Sequence, residues 1–275
     1  MKNTTGANSA KMKRFSAFIS FTCLLLFFSC KTTDSIKEPV EETGVFSGTD
    51  SFYAGKNYFI AEINLSSPDL EIKTFPKKDG FSKPVSVKKF AEENNCFAAI
   101  NANPFVTSSK LNPFFSERKP VGIYIDDFTE FSAPQKKYAA LAFFKEETGY
   151  SAKIFDSQDE LLLEKQKNPR FAAGGFWTIL RGEKIYPFRN IKDLRSAAGI
   201  SKDGRKLYLF CGKKLSYEDT ARILKERNVF CALQFDGGPS SQLYFHGKNR
   251  QRSAKKQLPS VILGFSHIQT NKIDE

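Results

Sequence analysis

Short runs of β-branched and aromatic residues recur along the whole second half of this chain and much of the first, at 58–65, 70–75, 97–100, 121–125, 138–144, 171–179, 207–211, 229–235 and 261–265. Runs of this length and composition, broken by Gly, Pro, Asn, Asp and Ser, read as β-strands. Helix signals are few. Ser216 with Asp219 three residues later forms a capping-box pattern ahead of Ala221, Leu224 and Arg227, and Ser157 with Glu160 does the same for 159–167, which Pro169 stops. A weaker helical pattern covers 85–95. Strands that outnumber helices without alternating with them predict an α+β fold, one domain with a mixed, largely antiparallel β core and a few flanking helices. With 275 residues, 40% of them apolar and 28 of them Phe, the chain has material for such a core.

The N-terminus has a different character. Lys2, Lys11, Lys13 and Arg14 precede the apolar stretch 15–28, then small Ser29 and Cys30, the layout of an export signal. The apolar stretch is shorter than the ~20 residues of a membrane-spanning helix. Leu26-Phe27-Phe28-Ser29-Cys30 resembles the lipobox of bacterial lipoproteins, which implies acylation of Cys30 as the mature N-terminus. The expected organisation is a lipoprotein-type signal at 1–29, a flexible tether at 30–50 rich in Lys, Glu, Thr, Ser, Gly and Pro, the folded domain at 51–268, and a polar tail at 269–275. The expected location is a bacterial cell envelope, periplasmic or at the surface, with the membrane as partner through the lipid on Cys30.

The formal charge is +12, and loss of residues 1–29 leaves +8. A basic chain suits anionic partners. Export turns that preference away from nucleic acid and toward a phosphorylated substrate or a membrane surface. Cys96, Cys211 and Cys231 each sit among apolar residues and read as buried thiols. There is no CxxC pair and there are two histidines, so neither a metal nor another cofactor is expected.

Three segments carry chemistry. In the first, the apolar stretch Leu233-Gln234-Phe235 runs into Asp236-Gly237-Gly238-Pro239-Ser240-Ser241: a carboxylate, two glycines that permit close approach or positive φ, and two hydroxyls. The same residues also suit a tight turn in which Asp236 bonds the backbone of Gly238. In the second, Arg195 opens Arg195-Ser196-Ala197-Ala198-Gly199-Ile200, which an Asp203-Gly204 turn folds back onto 207–211. An arginine there can clamp a phosphate with its planar fork of donors. In the third, the strand at 97–100 ends in Asn101-Ala102-Asn103-Pro104-Phe105, and residues i and i+2 of a strand share a face, so Asn101 and Asn103 are candidates for holding a sugar or phosphate oxygen. An Asn-rich turn stopped by Pro104 is the other reading.

Taken in order, these segments resemble the phosphodiester glycosidase family: 101–105, then Gly174-Gly175-Phe176-Trp177-Thr178-Ile179-Leu180-Arg181-Gly182, then 195–200, the helix at 216–227, 236–241, and the segment 256–262 with Lys256 at its head. The resemblance implies hydrolysis of the bond between an anomeric carbon and a phosphate oxygen, with an N-acetylglucosamine-type sugar on an envelope or extracellular glycan as substrate. It implies catalytic roles for Asp236, toward the oxocarbenium ion, and Arg195, toward the phosphate. Asn101, Asn103, Gly237, Gly238, Ser240, Ser241 and Lys256 are the implied substrate contacts. Ala102, Asn103 and Pro104 depart from the family's Asn-Gly-Gly, Pro239 replaces a glycine, and Lys256 stands where Arg is common. These departures point to a second possibility, a surface lipoprotein that keeps the fold to bind glycans or a host partner.

Overall fold

The run at 207–211 shows why the strand-forming segments lack polar alternation: both faces of the strand are covered. In the computed structural model, which describes residues 50–112, 116–164, 168–249 and 257–268, Leu207, Leu209 and Cys211 point to one apolar layer, and Tyr208 and Phe210 point to another. The expected export signal, Cys30, almost all of the tether, Lys256 and the C-terminal tail lie outside the described residues. Asp50, placed in the tether by its sequence, is buried and belongs to the fold.

Strands numbered in chain order form three larger sheets and one ribbon, and every strand pairing among the described residues is antiparallel. A seven-stranded sheet has the order β1 (Ser51–Gly55), β2 (Tyr58–Asn64), β15 (Lys206–Leu215), β14 (Asp193–Ile200), β16 (Cys231–Gln234), β12 (Thr178–Arg181), β13 (Lys184–Ile185). A five-stranded sheet runs β10 (Tyr150–Phe155), β9 (Ala140–Lys145), β11 (Phe171–Gly174), β7 (Tyr124–Asp126), β8 (Thr129–Ser132). The other five-stranded sheet runs β18 (Lys248–Asn249), β17 (Leu243–Phe245), β4 (Ala98–Asn101), β19 (Ile262–His267), β3 (Leu70–Phe75). The ribbon is β5 (Phe105–Thr107) with β6 (Arg118–Pro120).

The inner faces of all three sheets meet in one apolar core, with Ile63, Leu209 and Leu233 from the first, Leu141, Phe143 and Ile154 from the second, and Ile100, Leu263 and Phe265 from the third. Each outer face is covered by one helix. Helix α3 (Tyr217–Lys225) lays Ala221 and Leu224 on the seven-stranded sheet, α2 (Gln158–Leu163) lays Leu161 on the sheet of β9, and α1 (Val87–Glu93) lays Val87, Phe90 and Ala91 on the sheet of β4. The capping box before α3 forms in full, with Ser216 accepting from the Asp219 N–H and Asp219 accepting from the Ser216 N–H. Ser157 caps α2 by accepting from the Asp159 N–H, without the reciprocal bond expected from Glu160, and the helix ends at Leu163 rather than running to 167. The single-domain α+β reading is therefore correct, and the three cysteines of the domain are free and buried.

The run at 171–179 is not one strand. It leaves one sheet after β11 and enters another at β12, crossing through Gly175, whose N–H donates to Ala139 while the Phe176 N–H donates to Gln234. A Cβ on Gly175 would lie 2.1 Å from Leu233 Cδ1, so only glycine lets the chain pass between the sheets. This crossing brings Phe176 and Trp177 to the rim where the sheets meet.

Candidate active site

Asp236 follows β16 and is fixed through its main chain. Its N–H donates to the Ala102 carbonyl at 2.9 Å, and its carbonyl accepts from Asn101 Nδ2 at 2.7 Å, so the residue is tied to the end of β4 in the neighbouring sheet. The preceding Phe235 N–H donates to Ser196 on β14. Beyond it, Gly238 adopts φ +57°, a left-handed conformation that favours glycine, and Pro239 and Ser240 complete a 3-10 turn.

The carboxylate faces a cavity of about 450 Å³ lined by Pro104, Phe105, Val121, Tyr138, Phe176, Asp236, Gly237, Pro239, Ser240 and Gln257. Its walls come from the three sheets and the β5–β6 ribbon. Burial pushes the Asp236 carboxyl up to about 6, against the opposing pull of a hydrogen bond from Ser240, the charge of Arg118 and the Gly237 N–H. Tyr138 and Phe176 meet edge to face with centroids 5.5 Å apart, placing aromatic surface opposite the acid. Among the described residues no group of three or more His, Cys, Asp or Glu is placed to hold a metal ion.

Arg118 is the cation whose charge acts on Asp236, from outside the cavity lining, and the sequence reading passed it over. It lies in β6, is 1% exposed, and stacks its guanidinium 4.2 Å from the centre of the Phe105 ring. Burial depresses its pKa while Asp236 raises it, the reciprocal of its effect on the acid. In sequence it sits within Ser116-Glu117-Arg118-Lys119-Pro120, which reads as an ordinary charged surface turn.

The other expected contacts sort differently. Gly237 and Ser240 line the cavity with Asp236, whereas Ser241 is fully buried behind the turn. Asn101 and Asn103 are corrected from substrate contacts to structural ties. Besides binding Asp236, Asn101 accepts through Oδ1 from Ser196 Oγ at 2.7 Å and from the Gln242 N–H at 2.9 Å. Asn103 donates to the Ile123 carbonyl at 3.0 Å and accepts from the Gly174 N–H at 3.0 Å. Both side chains are fully buried, and they diverge because β4 ends at Asn101, so the i, i+2 relation does not apply. Arg195 is also absent from the cavity wall. Ser196, next to it on β14, faces Asn101, so strand alternation turns Arg195 to the opposite face, where its guanidinium packs 4.0 Å from the centre of the Tyr217 ring on α3.

Residues 94–265, more than half of the chain, match the family described as phosphodiester glycosidase. The chain belongs to that family. No curated protein matches its sequence. Among solved structures, this phosphodiester glycosidase family member is similar to the catalytic domain of zebrafish N-acetylglucosamine-1-phosphodiester alpha-N-acetylglucosaminidase, auto-inhibited by its pro-peptide. That match has a TM-score of 0.58 and 19% identity, and covers 85% of each chain. A protein from Burkholderia pseudomallei K96243 matches with TM-score 0.61 and 10% identity over 79% of this chain and 74% of that one. A hypothetical protein from Synechocystis matches with TM-score 0.57 and 14% identity over 82% of this chain, which spans about three fifths (61%) of its length. At these identities the likeness is one of fold.

Proposed function

We propose that the chain hydrolyses the sugar–phosphate bond of a glycosyl-1-phosphodiester, with an N-acetylglucosamine-type sugar on an envelope or extracellular glycan. The observation that carries this reading is the lone carboxyl of Asp236 on the cavity wall, raised to about 6 by burial and acted on by the charge of Arg118, which is buried behind the Phe105 ring that lines the cavity. A base with a pKa just below neutrality is largely ionised at pH 7 yet still basic enough to accept a proton. Asp236 takes a proton from a water molecule as that water attacks the anomeric carbon. The bond from that carbon to the phosphate oxygen breaks, and the phosphate leaves as a monoester. Because the second pKa of a phosphate monoester is near 6, the leaving group needs little protonation. What it needs is positive charge, which Arg118 supplies through its field from beneath the Phe105 ring rather than by direct contact. Tyr138 and Phe176 offer the sugar ring an apolar face, and Ser240 orients the acid.

Family membership supports the reaction class, and the N-terminal pattern ending in Cys30 supports export and lipid anchoring. A second reading, glycan binding without cleavage, is favoured by one observation: Asp236 is the only carboxylate among the described residues lining the cavity. Incubation of the purified protein with sugar-1-phosphodiesters, with release of reducing sugar as the readout, separates the two. Hydrolysis is expected in the wild type and its loss in Asp236→Asn. Saturable binding with no release in the wild type would instead establish the binding reading.

A further inference from the structure

Behind the Asp236 loop, on the face of the seven-stranded sheet covered by α3, lies a second cluster of buried polar groups, termed the chamber. Arg195 is 5% exposed and makes no ion pair among the described residues; the carboxylate whose charge acts on it is that of Asp193, an exposed residue. One amino group donates to the Ile191 carbonyl, and the buried Nε has no hydrogen-bond partner. A guanidinium removed from water without a counter-ion is costly, and such a site favours an anion.

Two more unpartnered atoms stand beside it. Ala197 and Gln234 are cross-strand partners, so Gln234 shares the face of Arg195, and Trp177 adjoins Gln234 through the Gln234 N–H to Trp177 carbonyl bond. Gln234 is 1% exposed; its Nε2 donates to the Phe235 carbonyl, and its Oε1 is without a partner. Trp177 Nε1 is likewise buried and unpartnered. Arg195 and Trp177 both pack on the ring of Tyr217, which brings these two groups under one roof. The chain at 186–192 closes the chamber, with Phe188 stacked 5.7 Å from Trp177 and the Ile191 carbonyl held by Arg195. Gly237 separates chamber from cavity: a Cβ there would come 3.4 Å from Gln234 Nε2 and 3.9 Å from Arg195 Nη1.

Two unpartnered donors, one of them cationic, and one unpartnered acceptor on the same sheet face match a tetrahedral oxyanion that retains a P–OH. We propose that Arg195, Gln234 and Trp177 form a second ligand site for such an oxyanion, a phosphate monoester or monohydrogen phosphate, under a strap at 186–192 that opens to admit it. Arg195 and Trp177 donate to the oxygens and the P–OH donates to Gln234 Oε1. The site extends beyond the hydrolytic reading, which supplies one ligand of this class in the monoester it releases.

Trp177 is the only tryptophan in the chain, so its emission reports on the chamber. Purified protein is titrated at about pH 6, where a monoester with a second pKa near 6 still keeps a P–OH in about half of its molecules, and at low ionic strength, with inorganic phosphate, with glycerol phosphate as a monoester, and with sulfate, which carries no proton at that pH. The expected result is a saturable emission change with phosphate or the monoester, the stronger of the two naming the source, and a weaker response to sulfate. Gln234→Glu, isosteric and able to pair with Arg195, is expected to weaken phosphate binding by about tenfold or more. Arg195→Lys, which keeps the charge but loses the fork, is expected to weaken it as well. Arg118→Met and Asp236→Asn are expected to keep the response even where turnover is lost, so failure of the hydrolytic reading does not register as failure of this one. No saturable change in the wild type, an equal response to sulfate, or an undiminished response in both chamber variants would overturn the proposal.

Discussion

Replacing Asp236 by Asn tests the electrostatics of the cavity without reference to any substrate. An unfolded Asp titrates near 3.9, roughly two units below the value of about 6 that this carboxyl reaches in the fold. At ~1.36 kcal/mol per unit, the folded state holds the ionised form at a cost of about 3 kcal/mol, and partial exposure of the side chain trims this to about 2 kcal/mol. The sign follows from proton counting. Between about pH 4 and pH 6 the folded chain binds more protons at this position than the unfolded chain, so the wild type loses stability as pH rises through that window. Asn carries no such dependence. Urea denaturation of both proteins at about pH 4 and about pH 7.5 is therefore expected to show Asp236→Asn gaining about 2 kcal/mol relative to the wild type on going to the higher pH. A difference that stays constant with pH, or that moves against Asn, would refute the claim that burial dominates at this carboxyl.

Two further outcomes follow from the same geometry. Arg118→Met removes the cation that holds the Asp236 pKa down, so the ascending limb of the kcat/KM profile is expected to move to higher pH, with phosphodiester turnover reduced by about a hundredfold or more; an unmoved inflection would separate the two residues. Asn101→Ala leaves the Gln242 N–H, Ser196 Oγ and the Asp236 carbonyl without this partner, and is expected to cost about 2–4 kcal/mol in denaturant unfolding while lowering activity through displacement of the acid.

The strands were legible because residues such as those at 207–211 and 261–265 are buried on both faces and must be apolar throughout. The α3 start was legible because Ser216 and Asp219 satisfy each other's backbone whatever the tertiary context. The site was legible only in part. A strand-end carboxamide has the same composition whether it meets a ligand or a distant carbonyl, and nothing in the order of residues shows that Asn101 binds the main chain of Asp236. For Arg195 there was a usable signal: Ser196, Ala198 and Ile200 alternate as one face, which forces the arginine to the other. Arg118 offered none, because its burial depends on a ribbon that joins none of the three larger sheets, is bridged at Arg118 by the distant Ser82, and takes its position from the fold as a whole.

The main-chain bonds that fasten residue 236 across the seam between two sheets have an evolutionary corollary. The architecture is anchored there by atoms that every amino acid other than proline possesses, so the seam between the sheets does not rest on the carboxyl, whose own bonds stay within the 237–240 turn. Lineages built on this framework can exchange that one side chain, and with it a cleaving pocket for a merely gripping one, while the scaffold stays intact.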